Sequence, residues 1–538
     1  MNGGQLAVAA LDDWGINTVF GIPATHVIEI YDGLRESRTI RTVVARSDQH
    51  AAYMADGYAR RLRKPGVAVV TGGPGLAQAT PGLVTAWADS SPLVVITSDL
   101  GPEARARRQA GVPHEIYDAR GLAQSTGAHV FVADSPEEVY ETVSESLTAC
   151  KVGRSRPSVC LLSRGALEGS AESTFIRPVR APSNGWNRSA PDPQQLSSVV
   201  RSLSEAERPL VLVGAGVLAA RAEDLLDSFL ESTGLPYMTT VPAVSAVDTG
   251  KPGYRGVVLN RKSRRVLSRA DVILAIGASF GWATTGENSL ELPGQLIHVD
   301  IDPTEFGKHY TPALSIAADA ADFLEALLDS LPEMKKVSNR RDHDDRSSRC
   351  DGGAGTRNRW IAAIDRALPE NNASVVVDVT MSQIALARDL TFSPARQFFV
   401  PWNAQTLGYA YPAALGVQTA RKDAFVLAVI GDGGALYVLG ELGTAVENDL
   451  PVCLLVFNNH SYGTIALAQD DMCEGRRFGV DLAQPDFCKV AAAFEARTRR
   501  VGSPEGLEDA LKEAVADRRP GLIEALVPFD AFAVEEVV

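Results

Sequence analysis

Phe425-Val-Leu-Ala-Val-Ile-Gly-Asp-Gly-Gly434 begins as an unbroken apolar run and ends in three glycines around one carboxylate. Val452-Cys-Leu-Leu-Val-Phe-Asn-Asn-His-Ser-Tyr-Gly463 repeats the form, an apolar run followed by a polar turn. Short continuous apolar runs closed by turn residues read as strands buried on both faces. Open α/β sheets bind ligands at the carboxyl ends of such strands. Asp432 and Asn459 sit at those two ends, 27 residues apart. Gly431, Gly433 and Gly434 allow the backbone to approach an anionic group, and a following helix N-terminus favours phosphate. A carboxylate and an amide oxygen are hard ligands suited to Mg²⁺, which usually also takes phosphate oxygens. A plainer reading, Asp as helix cap and Asn pair as turn formers, suffices for an isolated Gly-Asp-Gly. The paired spacing, with Glu441-Leu442 between the two turns, favours the ligand reading.

The same alternation runs along the rest of the chain. Strands are expected at 18–20, 40–44, 67–71, 93–97 and 158–162, with helices at 49–62 and 76–88. A second group follows at 210–213, 272–276 and 296–300. A third falls at 374–379, 425–430, 452–457 and 522–526. Residues 166–190 read as a linker, and the charged stretch 335–357 as the clearest boundary. The fold class is therefore α/β, with three doubly wound parallel-sheet domains.

The chain has 538 residues, enough for three domains. Its net charge is −14, which disfavours nucleic acid or an anionic membrane as a partner. No apolar run reaches the ~20 residues of a membrane helix. Asp12 and Asp13 interrupt the N-terminal apolar pattern, which reads as an amphipathic helix and not a signal peptide. Six scattered Cys without a Cys-x-x-Cys pair argue against zinc and for a reducing, cytoplasmic location.

The segment Gly431-Asp-Gly through Asn458-Asn459 resembles the motif of thiamine-diphosphate-dependent enzymes of the acetolactate synthase, pyruvate decarboxylase and benzoylformate decarboxylase group. VFGIPATHVIEIYDGL near the start, MADGYAR at 54–60, GGPGLAQATPGLVTAWADSSPLVVIT at 72–97 and QTLGYAYP at 405–412 extend the resemblance over nearly the whole chain. It implies a pyrimidine-binding domain at 1–165, a middle domain at 190–333 and a diphosphate-binding domain at 358–538. It implies thiamine diphosphate and Mg²⁺ as cofactors. Asp432, Asn459 and the backbone oxygen of Ser461 become metal ligands. Gly431, Gly433 and Gly434 surround the diphosphate, and Tyr462-Gly463 follows as in many members. Leu407 falls where the family carries the apolar residue that wedges the cofactor into a V shape.

Asp48 occupies the position of the family's catalytic Glu, which hydrogen-bonds the pyrimidine ring. It is one methylene shorter, ~1.5 Å, a large fraction of a hydrogen-bond length. Asp48 is also placed to cap the helix beginning at Gln49. His26, His50, His114 and His460 lie on segments the family brings near its active site, where His serves as a proton shuttle. His26 and His114 are the stronger pair of candidates; His114 stands where an acetolactate synthase-like pattern has Gln. Gly214-Ala-Gly216 is a Gly-x-Gly turn without its third Gly, so NAD is not expected. The stretch 279–286 lacks the Arg and Asp residues of the family's FAD segment, so FAD is not expected either. Asp481 to Phe487 suits a turn and helix start and is assigned no chemistry. Ile465 to Arg477 is the candidate region for substrate choice.

The resemblance thus implies a carboligase with a pyruvate-like 2-oxo acid donor, acetolactate synthase-like, assembled as a homodimer or homotetramer. The alternatives are a decarboxylase releasing an aldehyde and, in another class, a non-catalytic cofactor-binding relative.

Overall fold

The computed structural model describes residues 1–106, 111, 113–114, 116–171, 190–259, 261–292, 294–331 and 357–532. The strands of the first sheet are β1 (Thr18–Gly21), β2 (Arg41–Val44), β3 (Gly66–Val70), β4 (Leu93–Asp99), β5 (His129–Ala133) and β6 (Ser158–Ser163). Those of the second are β7 (Pro209–Val213), β8 (Tyr237–Thr239), β9 (Tyr254–Val257), β10 (Val272–Ile276), β11 (Gln295–Asp300) and β12 (Leu314–Ala317). The third holds β13 (Ala373–Val377), β14 (Arg396–Phe399), β15 (Phe425–Gly431), β16 (Val452–Asn458), β17 (Arg497–Val501) and β18 (Gly521–Leu526). Every pairing within the sheets is parallel.

The first and third sheets share one order, β2-β1-β3-β4-β6-β5 and β14-β13-β15-β16-β18-β17. Each reverses direction between its first and third strands, and that crevice is where such sheets bind ligands. The middle sheet runs β12-β11-β10-β7-β8-β9, the order of dinucleotide-binding folds. Its Gly214 and Gly216 serve internal packing at that switch point: a Cβ on Gly216 would lie 2.6 Å from the Gly277 Cα.

Six strands lie outside the expected set: β5, β8, β9, β12, β14 and β17. Five of them, β5, β9, β12, β14 and β17, are outermost in their sheets. These strands lack a continuous apolar run: β17 reads Arg-Thr-Arg-Arg-Val and is mostly exposed, while β14 reads Arg-Gln-Phe-Phe and is buried. The stretch expected as a linker at 166–190 is also partly ordered. The helix Arg164–Glu168 enters it, and Ser170 bridges back to Asn2. The rest of that stretch, 172–189, and residues 335–356 lie outside the described residues.

The first and third units share one hydrophobic core. The helices Asp48–Leu62 and Ala410–Ala420 cross at its centre with their backbones touching. A Cβ on Gly57 would lie 2.8 Å from the Ala413 carbonyl carbon, and one on Gly416 would lie 2.8 Å from that of Met54. Reciprocal glycines therefore set the approach of these two helices. One helix begins at Asp48 and the other follows Leu407.

Candidate active site

The strand β15 ends at Gly431, in register with Phe457 of β16, while Val429 lies level with Val377 of β13. The turns after the three strands, carrying Asp378, Asp432 and Asn459, therefore share one edge of the sheet. Asp432 is the first residue of the helix Asp432–Val438, with Gly431 as its cap residue. The Asp432 carboxylate is buried. It accepts the N–H of Gly433 at 3.0 Å on Oδ1 and that of Ser461 at 3.1 Å on Oδ2. Burial raises its pKa, while the amides of Gly433 and Ser461 and the nearby His460 pull it down.

The two Asn have different environments. Asn458 is buried, donates to Glu524 Oε1 at 2.9 Å, and accepts the His460 N–H at 3.0 Å. Asn459 turns its Oδ1 to the Ser461 N–H at 3.2 Å and is only half-buried. Asp432, Asn459 and Ser461 are thus brought to one point, and Asn459 has its amide on the same turn as Asp432's partner. The glycines answer mainly to neighbouring side chains. A Cβ on Gly433 would meet the Tyr462 ring at 2.6 Å, one on Gly434 the Ile430 Cγ1 at 2.9 Å, and one on Gly463 the Asn459 Nδ2 at 2.8 Å. Gly431 is the most open of them, with Thr380 Oγ1 at 3.3 Å.

Asp48 lies at the matching edge of the first sheet. Its helix is capped at Ser47, so Asp48 is the first helical residue and not the cap residue. The carboxyl is buried, and its Oδ1 has no hydrogen-bond partner among the described residues. Gly75 leaves the space in front of it: a Cβ there would stand 3.3 Å from Asp48 Oδ1. Burial raises the Asp48 pKa, against the amides of Asp48 and Thr71. His26 and His114 meet, with Nδ1 of His114 3.3 Å from Nε2 of His26 and their rings edge-on at 4.4 Å. Burial, then the facing His114 and Arg164, hold the His26 imidazole below its ordinary range. A Cβ on Gly73 would lie 2.8 Å from the His114 carbonyl carbon, so this pair stands beside the Gly73–Gly75 turn.

The other two His do not join this pair. His50 is buried and contacts Glu441 Oε1 at 2.8 Å, which also accepts the Arg46 N–H at 2.9 Å. That contact ties the first unit to the third. His460 sits on an exposed turn with φ +60°.

Leu407 lies half-buried in the segment between β14 and the helix Ala410–Ala420. This segment is held from both sides. Asp378 accepts the N–H of Gly408 at 3.1 Å and of Ala410 at 2.8 Å. Burial pushes the Asp378 carboxyl up to about 6, although these amides and those of Val379 and Tyr409 oppose it. From the first unit, Thr85 Oγ1 lies 2.9 Å from Thr406 Oγ1, and Asp89 accepts the Asn403 N–H at 2.9 Å. Tyr409 donates to Asp56 at 2.6 Å, and Asp56 also accepts Arg60 at 2.7 Å.

Two contributors escaped the sequence reading. Gln484, in the segment assigned no chemistry, donates to Asp432 Oδ2 at 2.8 Å. Met381 lies against the Asn459 amide, whose Nδ2 is 3.6 Å from its sulfur. Neither carries a local sequence signal, since one precedes a Pro-Asp turn and the other reads as a core Met.

A buried carboxylate, an amide and a backbone carbonyl form a hard donor set that fits Mg²⁺. An unpartnered buried carboxyl oxygen at Asp48 fits a polar ligand group. The neighbours of Asp48 come from the first unit and those of Asp432 from the third. Residues 1–122, 196–327 and 378–525 match, in order, the N-terminal thiamine pyrophosphate binding, central and C-terminal thiamine pyrophosphate binding domains of thiamine pyrophosphate enzymes. The chain belongs to this family, as a carboligase or decarboxylase of the acetolactate synthase group. It is 29% identical to the probable acetolactate synthase large subunit of Methanocaldococcus jannaschii, over 98% of this chain and 92% of that protein. It is 28% identical to the acetolactate synthase isozyme 3 large subunit of Escherichia coli, over 96% and 93%. It is 32% identical to the probable 2-ketoarginine decarboxylase of Pseudomonas aeruginosa, over 97% and 94%. Among the described residues no helix is long and apolar enough to cross a membrane.

Proposed function

We propose that this protein is a thiamine-diphosphate- and Mg²⁺-dependent carboligase that decarboxylates a pyruvate-like 2-oxo acid and joins the remainder to a carbonyl acceptor. The observation that carries the cofactor assignment is the meeting of Asp432 with the Asn459–Ser461 turn at the level ends of β15 and β16. When bound, the cofactor supplies a nucleophilic carbon and an electron sink for the carbanion left by decarboxylation. Asp432, Asn459 and the Ser461 carbonyl hold the metal, and Gly431 admits the diphosphate. Asp48 hydrogen-bonds the pyrimidine through its free oxygen. Leu407 would pack against the cofactor, with Asp378 and Thr85 fixing its segment. His26 and His114 exchange protons with the substrate, and the region 465–477 selects it.

The half-sites at Asp48 and Asp432 complete each other across a dimer, alone or within a tetramer. Support comes from apolar side chains exposed close to the metal turn, Leu436, Tyr437 and Ile465. Light scattering at assay concentration is expected to give at least a dimer; an active monomer would refute the shared site.

A decarboxylase releasing an aldehyde is the second reading. It is favoured by the His26–His114 contact, which offers a proton to the carbanion, and by the 32% likeness to a probable decarboxylase. Product analysis with pyruvate and a panel of 2-oxo acids separates the readings. Carboligation predicts CO₂ plus an acyloin or acetohydroxy acid; aldehyde as sole product supports the second. Retention of the cofactor without CO₂ from any substrate would sink both.

A further inference from the structure

The turn that presents Asn459 and Ser461 is laced to a later segment. Tyr462 N–H donates to the Val480 carbonyl at 2.9 Å, Leu482 N–H to that of His460 at 3.2 Å, and Ser461 Oγ to Val480 at 3.1 Å. Beyond it, Asp486 caps the helix Phe487–Ala493 by accepting the Lys489 N–H at 3.1 Å. Pro485 lies between, with its φ fixed by the ring. Gln484 is therefore held at both ends of a short span, and its side chain turns back to Asp432 Oδ2 at 2.8 Å.

A carboxylate only accepts hydrogen bonds, so the amide atom facing Asp432 is Nε2. The other amide atom, Oε1, is then directed away from the carboxylate. It is buried and has no hydrogen-bond partner among the described residues. A buried amide oxygen left without a donor costs free energy, which a donor from a bound group would relieve. Mg²⁺ dehydrates reluctantly and retains water, and metal-bound water is a strong donor.

We propose that Gln484 is a positioning residue of the metal site: its Nε2 orients the Asp432 carboxylate, and its Oε1 accepts a hydrogen bond from water held by Mg²⁺. This inference rests on the reading of Asp432, Asn459 and Ser461 as a Mg²⁺ site. It explains why one amide needs both ends, a donor for the ligand and an acceptor for the hydration shell. Hydrogen-bonded partners of this kind typically govern metal affinity by 10–100-fold.

The test measures Mg²⁺ affinity by calorimetry at saturating thiamine diphosphate, and the melting temperature of the metal-free protein. Gln484→Leu removes both functions and is expected to weaken Mg²⁺ binding ~10–100-fold. Gln484→Glu keeps an acceptor oxygen but loses the donor. It is expected to bind Mg²⁺ more tightly than Gln484→Leu but more weakly than wild type, while its metal-free form melts lowest because two carboxylates face each other. A purely structural role would lower both melting temperatures and leave Mg²⁺ affinity unchanged. Wild-type affinity in Gln484→Leu, or equally weak binding by both variants, would overturn the inference. Failure of the wild-type protein to bind Mg²⁺ with thiamine diphosphate would instead overturn the functional reading beneath it.

Discussion

Gly57→Ala tests whether the packing of two helices governs the geometry of the site. The new Cβ would lie 2.8 Å from the Ala413 carbonyl carbon and 2.9 Å from its Cα, where ordinary contact begins at 3.4 Å. Both atoms are backbone, so no rotamer change relieves the overlap, and the helices must part by roughly 1 Å. Overpacking of this kind costs ~1–3 kcal/mol, and backbone on both sides puts the expected cost near ~3 kcal/mol. That is roughly a 100-fold shift in the equilibrium for opening this contact. Gly416→Ala makes the reciprocal overlap, 2.8 Å from the Met54 carbonyl carbon and 2.9 Å from the Tyr58 nitrogen. Since one separation of the helices relieves both, the double variant should be destabilised by clearly less than the two single costs together. Hydrogen exchange, followed by mass spectrometry over 48–62 and 410–420, reads local opening without assuming two-state unfolding. Gly165→Ala is the control, because its Cβ would meet nothing within 4 Å. Cofactor affinity should fall with protection, since these helices carry Asp48 and follow Leu407. Wild-type protection in Gly57→Ala, or strict additivity of the pair, would refute the reasoning.

Asp432→Ala removes the charged metal ligand and should weaken Mg²⁺-dependent cofactor binding by more than ~100-fold in calorimetry; unchanged affinity would displace the metal site. Asp48→Ala should slow deuterium exchange at the cofactor C2 by ~10²–10⁴-fold while sparing cofactor binding, and Asp48→Glu should restore most of the rate. Exchange at the wild-type rate in Asp48→Ala would move activation to another group. His26 should titrate below 6.5 by NMR, and His114→Ala should raise its midpoint without reaching 6.5, because burial remains the larger cause. The folded His26 binds its proton less readily than the unfolded one, so its stabilising effect is present above pH 6.5 and lost as pH falls. An unmoved midpoint in His114→Ala would show that the two rings do not interact.

The strands that carry the site were legible in the sequence because they are central: 425–430 and 452–457 are buried on both faces and must be apolar throughout. Their polar ends, Asp432 and Asn459, stood out against those runs. An edge strand such as Arg497–Val501 carries no such constraint, and Arg396–Phe399, although buried, opens on Arg-Gln; both emerge only when a neighbour pairs with them. Asp48 was also visible, but its two readings were not separable by pattern: cap and catalytic acid occupy the same place in sequence. Folding settles only the first, by giving Ser47 the cap position, and it leaves Asp48 Oδ1 buried without a partner among the described residues.

Local sequence thus determined the element types, the parallel architecture and the two polar strand ends, since each depends on periodicity and on turn chemistry within a few residues. Tertiary structure alone decided the contacts between distant segments. It sent His50 to Glu441 rather than to a partner on its own unit, put His26 against His114, and brought Gln484 onto Asp432. The physical reason is that hydrogen bonds act over about 3 Å, and residues separated by tens to hundreds of positions reach that distance only when the packing of whole sheets and helices places them there.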